Sequence, residues 1–174
     1  PAAGLALAVA LRHGRGALAW VWLGSFALNI GQAGVHAHSV TLATGLAAAL
    51  IAAGATLQAA LGRALVTRAL GHAWQRLESE GRLLGFLGLG GVVACLVSAS
   101  TAVASLVGLG LVDAQAVAFS WWTWYTGDLL GTVIFAPLAL LYLAPRDAHS
   151  AERRRRIVWP TLVALGLSMV LYAA

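Results

Sequence analysis

The sequence contains no lysine, a single cysteine, a single methionine and only six acidic residues in 174 positions. Charged residues make up 10% of it and hydrophobic residues 60%, against about 25% and roughly 45–50% in an ordinary soluble domain. Too little polar surface is left to coat a water-soluble globule, and a chain this apolar is not disordered either. Mean hydropathy is +0.84, which points to an integral membrane protein. One thiol, Cys95, builds neither a disulfide nor a zinc cage, and inside an apolar run it reads as packing. No Gly-rich phosphate loop follows a strand pattern, and no nucleophile–base set is evident, so the sequence offers no catalytic residue.

What is present is long apolar runs. A bilayer core about 30 Å thick needs roughly 20 helical residues per crossing. Reading between charged breaks gives six segments: 1–11, 17–35, 40–62, 83–112, 116–144 and 157–174. Strand-like alternation is missing, which argues against a barrel. The expected fold is all-α, a polytopic transmembrane helical bundle of about six spans, filling one domain over 1–174. The fourth segment is longer than a straight span requires and rich in glycine, which predicts a tilt, a kink or an interfacial turn.

All eleven basic residues other than histidine are arginine. They fall in three alternate loops, 12–15, 63–82 and 146–156, while 31–39 and 109–115 carry none. This is a positive-inside pattern. It places the arginine loops on the cytoplasmic side and accounts for the net charge of +5 without a nucleic-acid partner. It also sets both ends of the chain outside, so an output domain in the cytoplasm requires a further helix beyond residue 174. Into the loop 63–82, Leu61, Leu65, Leu70, Trp74 and Leu77 recur at helical spacing. Two readings stay open there: the third helix extends past the membrane as an amphipathic stretch on the anionic inner leaflet, or the loop is a solvated helical hairpin whose arginines only fix topology.

The stretch 120–137, SWWTWYTGDLLGTVIFAP, carries most of the chemistry. Trp121, Trp122, Trp124 and Tyr125 form either an interfacial aromatic belt or a ligand-facing wall. Asp128 lies near the middle of the fifth span with no arginine in any span to pair with it. A carboxylate at a helix centre costs about 2.5–3.5 kcal/mol on insertion scales, so a partner or a proton must offset it. Candidate partners are Asn29, Gln58, Ser98, Ser100 and Thr101. Two roles fit: an interhelical hydrogen bond that locks the bundle, or a polar site that senses a ligand or proton. Gly127 and Gly131 flank the acid and allow close helix approach, and Pro137 introduces a kink that could act as a hinge. His36 and His38 make a weak pair for a metal, and no metal or other cofactor is expected.

Four blocks in order resemble a known family. WYTGDLLGTVIFAPL (124–138) looks like the signature of the membrane-associated sensor domain, first type, of bacterial signalling proteins. PAAGLALAVALRHG (1–14), WVWLGSFALNI (20–30) and TLQAALGRALVTRALG (56–71) are similar to its earlier blocks. The doubled Trp121-Trp122 ahead of Trp124 departs from its pattern. The resemblance implies a sensory input module that is not itself an enzyme, ahead of a cytoplasmic histidine kinase or cyclic-di-GMP enzyme. Its partners would be the lipid bilayer and a protein or small ligand, with a homodimer through the full-length protein. It draws attention to Trp124, Gly127, Asp128, Gly131 and Pro137 without assigning them roles. The alternative from another class is a small transporter or channel with Asp128 in its pathway.

Overall fold

The computed structural model describes residues 2–37, 41–71, 74 and 79–143; the sixth apolar segment lies outside them, as do His38, Leu77 and the side chain of His36. No strand occurs among the described residues. Helix α1 (Ala2–His13) runs through a 3-10 turn at Gly14–Ala17 into α2 (Leu18–Ala37). Helix α3 (Leu42–Leu70) follows. Helix α4 (Glu80–Leu87), a π-turn at Gly88–Val93 and α5 (Ala94–Gly108) make one continuous rod. A 3-10 turn at Ala114–Ala116 opens α6 (Val117–Leu143).

The expected class is therefore found, and the six-span count is met only in part. Among the described residues, three helices are long and apolar enough to cross a membrane: Leu42–Leu70, Glu80–Gly108 and Ala114–Leu143. With 12 residues, α1 reaches only about 18 Å at 1.5 Å per residue, short of a bilayer core. The second apolar segment forms α2, which is not among the three.

Local chemistry sets the ends of α3. Thr41 and Thr44 form a reciprocal capping box: the Thr41 hydroxyl accepts from the Thr44 N–H at 3.2 Å, and the Thr44 hydroxyl accepts from the Thr41 N–H at 2.9 Å. This satisfies two amides that have no helical partner. At the other end the chain leaves the helix at Gly71 with φ +54°, a conformation open chiefly to glycine. The helix thus runs two turns past the expected end at residue 62, carrying Arg63 and Arg68 with it.

Packing relies on small residues. The core includes Ala3, Ala8, Ala10, Ala48, Ala52, Ala59, Ala94, Ala99 and Ala102. In lipid, where apolar burial between helices gains little over contact with acyl chains, close backbone approach supplies dispersion contacts instead. The tightest approach is α1 on α6, where a Cβ at Gly4 would strike the Gly131 carbonyl and come within 2.8 Å of the Ala136 nitrogen. At the arginine-bearing end, Leu7 and Leu11 of α1, Val66 of α3, Trp74, Phe86 of α4 and Ala136 of α6 close into one apolar cluster. The third helix does extend into the loop, as one reading of 63–82 has it, but Trp74 is 8% exposed and its indole is packed in this cluster.

Candidate functional site

Between α3, α5 and α6 lies a seam of polar side chains in an otherwise apolar interior. Gln58, Ser98 and Thr132 are the buried polar residues of the described chain, at 3%, 3% and 0% exposure. Helical spacing brings them together. On α5, Cys95 and Ser98 are three apart; on α6, Asp128 and Thr132 are four apart, so each pair shares a face. Gln58 on α3 donates from Nε2 to the Cys95 Sγ at 3.1 Å. The Cys95 Sγ also meets the Thr132 Oγ1 at 3.7 Å. Asp128 is half-buried; contacts of Cys95 with Thr132 and of Ser100 with Trp121 run α5 and α6 antiparallel, which sets Asp128 at the level of Ser98. One chain of polar contacts therefore ties three helices at one level.

α3 and α5 approach closely beside the seam. A Cβ at Gly54 would strike the Thr101 hydroxyl, one turn from Gln58 and Ser98 on the respective helices. Thr101 bonds back to the Val97 and Ser98 carbonyls of its own helix, at 2.8 and 3.0 Å.

The aromatic residues sit on the same helix as Asp128, towards its N-terminus. Trp121 stacks on Tyr125 with centroids 5.2 Å apart and rings 9° from parallel, and Trp122 leans on both. The Trp121 Nε1 donates to the Ser100 hydroxyl of α5 at 3.1 Å. Tyr125 reaches across to the π-turn, donating to the Val92 carbonyl at 3.4 Å. Trp124 is half-buried, outside this stack.

The candidate residues separate. Asp128 lies level with Ser98 by register, and Gln58 reaches that level through Cys95; both are among its expected partners. Ser100 is taken by Trp121, and Thr101 by its own backbone. Asn29 on α2 donates to the Ser25 carbonyl at 2.8 Å and is not brought to the seam. The two glycines differ. Gly131 is buried against α1, whereas Gly127 is exposed and a Cβ there would meet nothing within 4 Å. Close helix approach thus uses Gly131 alone. α6 continues through Pro137. The missing N–H at this position leaves the Val133 carbonyl without its helical donor.

Two members of the seam were not anticipated. Cys95 was read as packing, and Thr132 was not singled out. The signal for Thr132 was its position one turn after Asp128. For Cys95 it was the position one turn before Ser98, a proposed partner of that acid. Among the described residues no group of three or more His, Cys, Asp or Glu side chains could hold a metal.

A family model described as MASE1 matches residues 1–174, the whole chain. Neither the curated proteins nor the solved structures gave a match.

Proposed function

This chain belongs to the MASE1 family of membrane-associated sensor domains, and from that premise we propose that it is the input unit of a larger bacterial signalling protein. The domain itself is sensory and not catalytic. In this reading it crosses the inner membrane several times, with the arginine-rich loops 12–15, 63–82 and 146–156 in the cytoplasm. A stimulus alters how α3, α5 and α6 pack around Asp128. The change passes along the chain to a cytoplasmic histidine kinase or cyclic-di-GMP enzyme, which acts as a homodimer.

The polar seam supports this reading. Polar side chains within a membrane are costly and persist where they hold each other or serve a function. Here each helix contributes a group that can exchange partners: a thiol, hydroxyls, an amide and a carboxylate. A stimulus can shift such an arrangement only by favouring one pairing over another.

The test joins this domain to a cyclase of known output and compares it with Asp128→Asn, which keeps shape and removes the charge. Regulation should depend on the domain and be lost in Asp128→Asn while insertion into the membrane stays normal. Unchanged regulation in that variant would remove the seam from the mechanism. Normal regulation of the cyclase without the domain would remove the sensor reading itself.

A further inference from the structure

Among the described residues, two features of the seam remain unmatched. The first is the Gln58 Oε1. Gln58 is 3% exposed, its nitrogen is engaged by Cys95, and its carbonyl oxygen is buried with no hydrogen-bond partner. A buried acceptor left unpaired forfeits the hydrogen bonds it would make in water. The second is the charge of Asp128. Of the arginines carried by the three long helices, Arg68 and Arg82 are exposed, and Arg63 turns its guanidinium toward Gly14 at the basic end. None faces the carboxylate. Among the described side chains, helix register sets Ser98 and Cys95 of α5 opposite Asp128 and Thr132, and Gln58 of α3 joins them through Cys95.

We propose that Asp128, Ser98, Gln58 and Thr132 hold one small monovalent cation between α3, α5 and α6. The donor set is oxygen from a carboxylate, an amide and two hydroxyls, the hard ligands that hard cations take. It carries a single negative charge, which a single positive charge neutralises; a divalent ion would leave a net charge buried. Such an ion also gives the Gln58 carbonyl a partner, which a proton confined to Asp128 does not. The cation draws the three helices to one level, so its arrival or loss favours one packing over another. This deepens the sensor reading at the same seam. Binding is read from stability and sensing from output, so either can fail alone.

The test uses the full-length protein in lipid nanodiscs. Its melting temperature is followed as sodium chloride replaces N-methylglucamine chloride at constant ionic strength, with potassium and ammonium as further arms, at acid, neutral and alkaline pH. One small cation should raise the melting temperature saturably, by roughly 5–10 °C at a hundredfold excess over its Kd. Asp128→Asn should abolish the rise. Ser98→Ala and Gln58→Leu should each weaken binding about tenfold or more, moving the midpoint to higher salt; they keep the proposal open to refutation if Asp128→Asn fails to fold. Equal melting temperatures in every salt at each pH would overturn it. So would a change with pH alone, which makes the occupant a proton, or a salt effect that survives intact in Asp128→Asn.

Discussion

The apolar cluster at the basic end and the polar seam are neighbours built from opposite chemistry. On α6, Ala136 of the cluster lies one turn beyond Thr132 of the seam; on α3, Val66 lies two turns beyond Gln58. Each region has a fully enclosed residue at its heart: Phe86 and Thr132 each show 0% exposure. What differs is the source of their stability. In the cluster every contact is dispersion, and it depends on shape because a gap forfeits contacts outright. In the seam each contact is a weak polar pair that another pair could replace. The first arrangement resists change, and the second permits it within the same three helices.

The comparison is tested most strongly at Phe86. Phe86→Ala should destabilise the protein by about 2–3 kcal/mol. That is less than the 3–5 kcal/mol of water-soluble cores, because lipid supplies little transfer energy to lose and the cavity dominates. Thermal unfolding in nanodiscs measures it. A cost near zero would mean that the cluster is as exchangeable as the seam.

Gly4→Ala comes next. The added methyl meets backbone of α6 at Gly131 and Ala136, which cannot rotate away. Overpacking of this kind costs about 1–3 kcal/mol. The glycine joins α1 to the stretch of α6 that links the two regions, so the variant should loosen both. A stability equal to the parent would show that α1 is not clamped there.

Thr132→Val sharpens the contrast, since it changes a fully buried residue while keeping its branched shape. Among the described residues, the hydroxyl it removes has the Cys95 sulfur as its polar contact, at 3.7 Å. The expected cost is about 0.5–1 kcal/mol, the low side of a neutral hydrogen bond, well below that of Phe86→Ala at equal burial. A loss as large as that of Phe86→Ala would make the seam structural in the same sense as the cluster.

Much of this contrast could be read from sequence, and its gaps have physical causes. Apolar runs bounded by arginines located the helices within a few residues. The apolar run stops at residue 62, and only the leucine spacing beyond it hinted that α3 goes on; arginine is a good helix former whose long stem lies along apolar surface, so Arg63 and Arg68 do not break the helix. Asp128 stood out because an acid in a span is conspicuous. Its partners were harder, since a threonine or cysteine suits both core and polar seam. Gly127 and Gly131 looked equivalent beside Asp128. On a helix they are not: Gly131, three residues after Asp128, shares its face, while Gly127 turns away. Asn29 was a plausible partner in type, but Ser25 one turn earlier satisfies it locally. The burial of Trp74 was hidden because a Trp among arginines has the same signature on a membrane surface as in a core.

The smallest expected effect lies at the far edge of the seam, where Tyr125 meets the π-turn. A π-turn widens the helix by one residue and disturbs its regular ladder of hydrogen bonds, and the Tyr125 hydroxyl donates to one carbonyl of this turn, that of Val92, at 3.4 Å. The bond is long and its surroundings are exposed, so Tyr125→Phe should cost below about 0.5 kcal/mol. The turn itself should persist, because Gly90 and Gly91 within it are buried against Leu7, Val66 and Leu129, contacts that the hydroxyl does not influence. Hydrogen exchange at residues 88–93 tells the two supports apart. Unchanged protection in Tyr125→Phe places the hold on the π-turn in the packing that continues into the apolar cluster. Faster exchange confined to those residues places it in the aromatic stack of α6, and the boundary between rigid cluster and exchangeable seam then moves one turn towards the basic end.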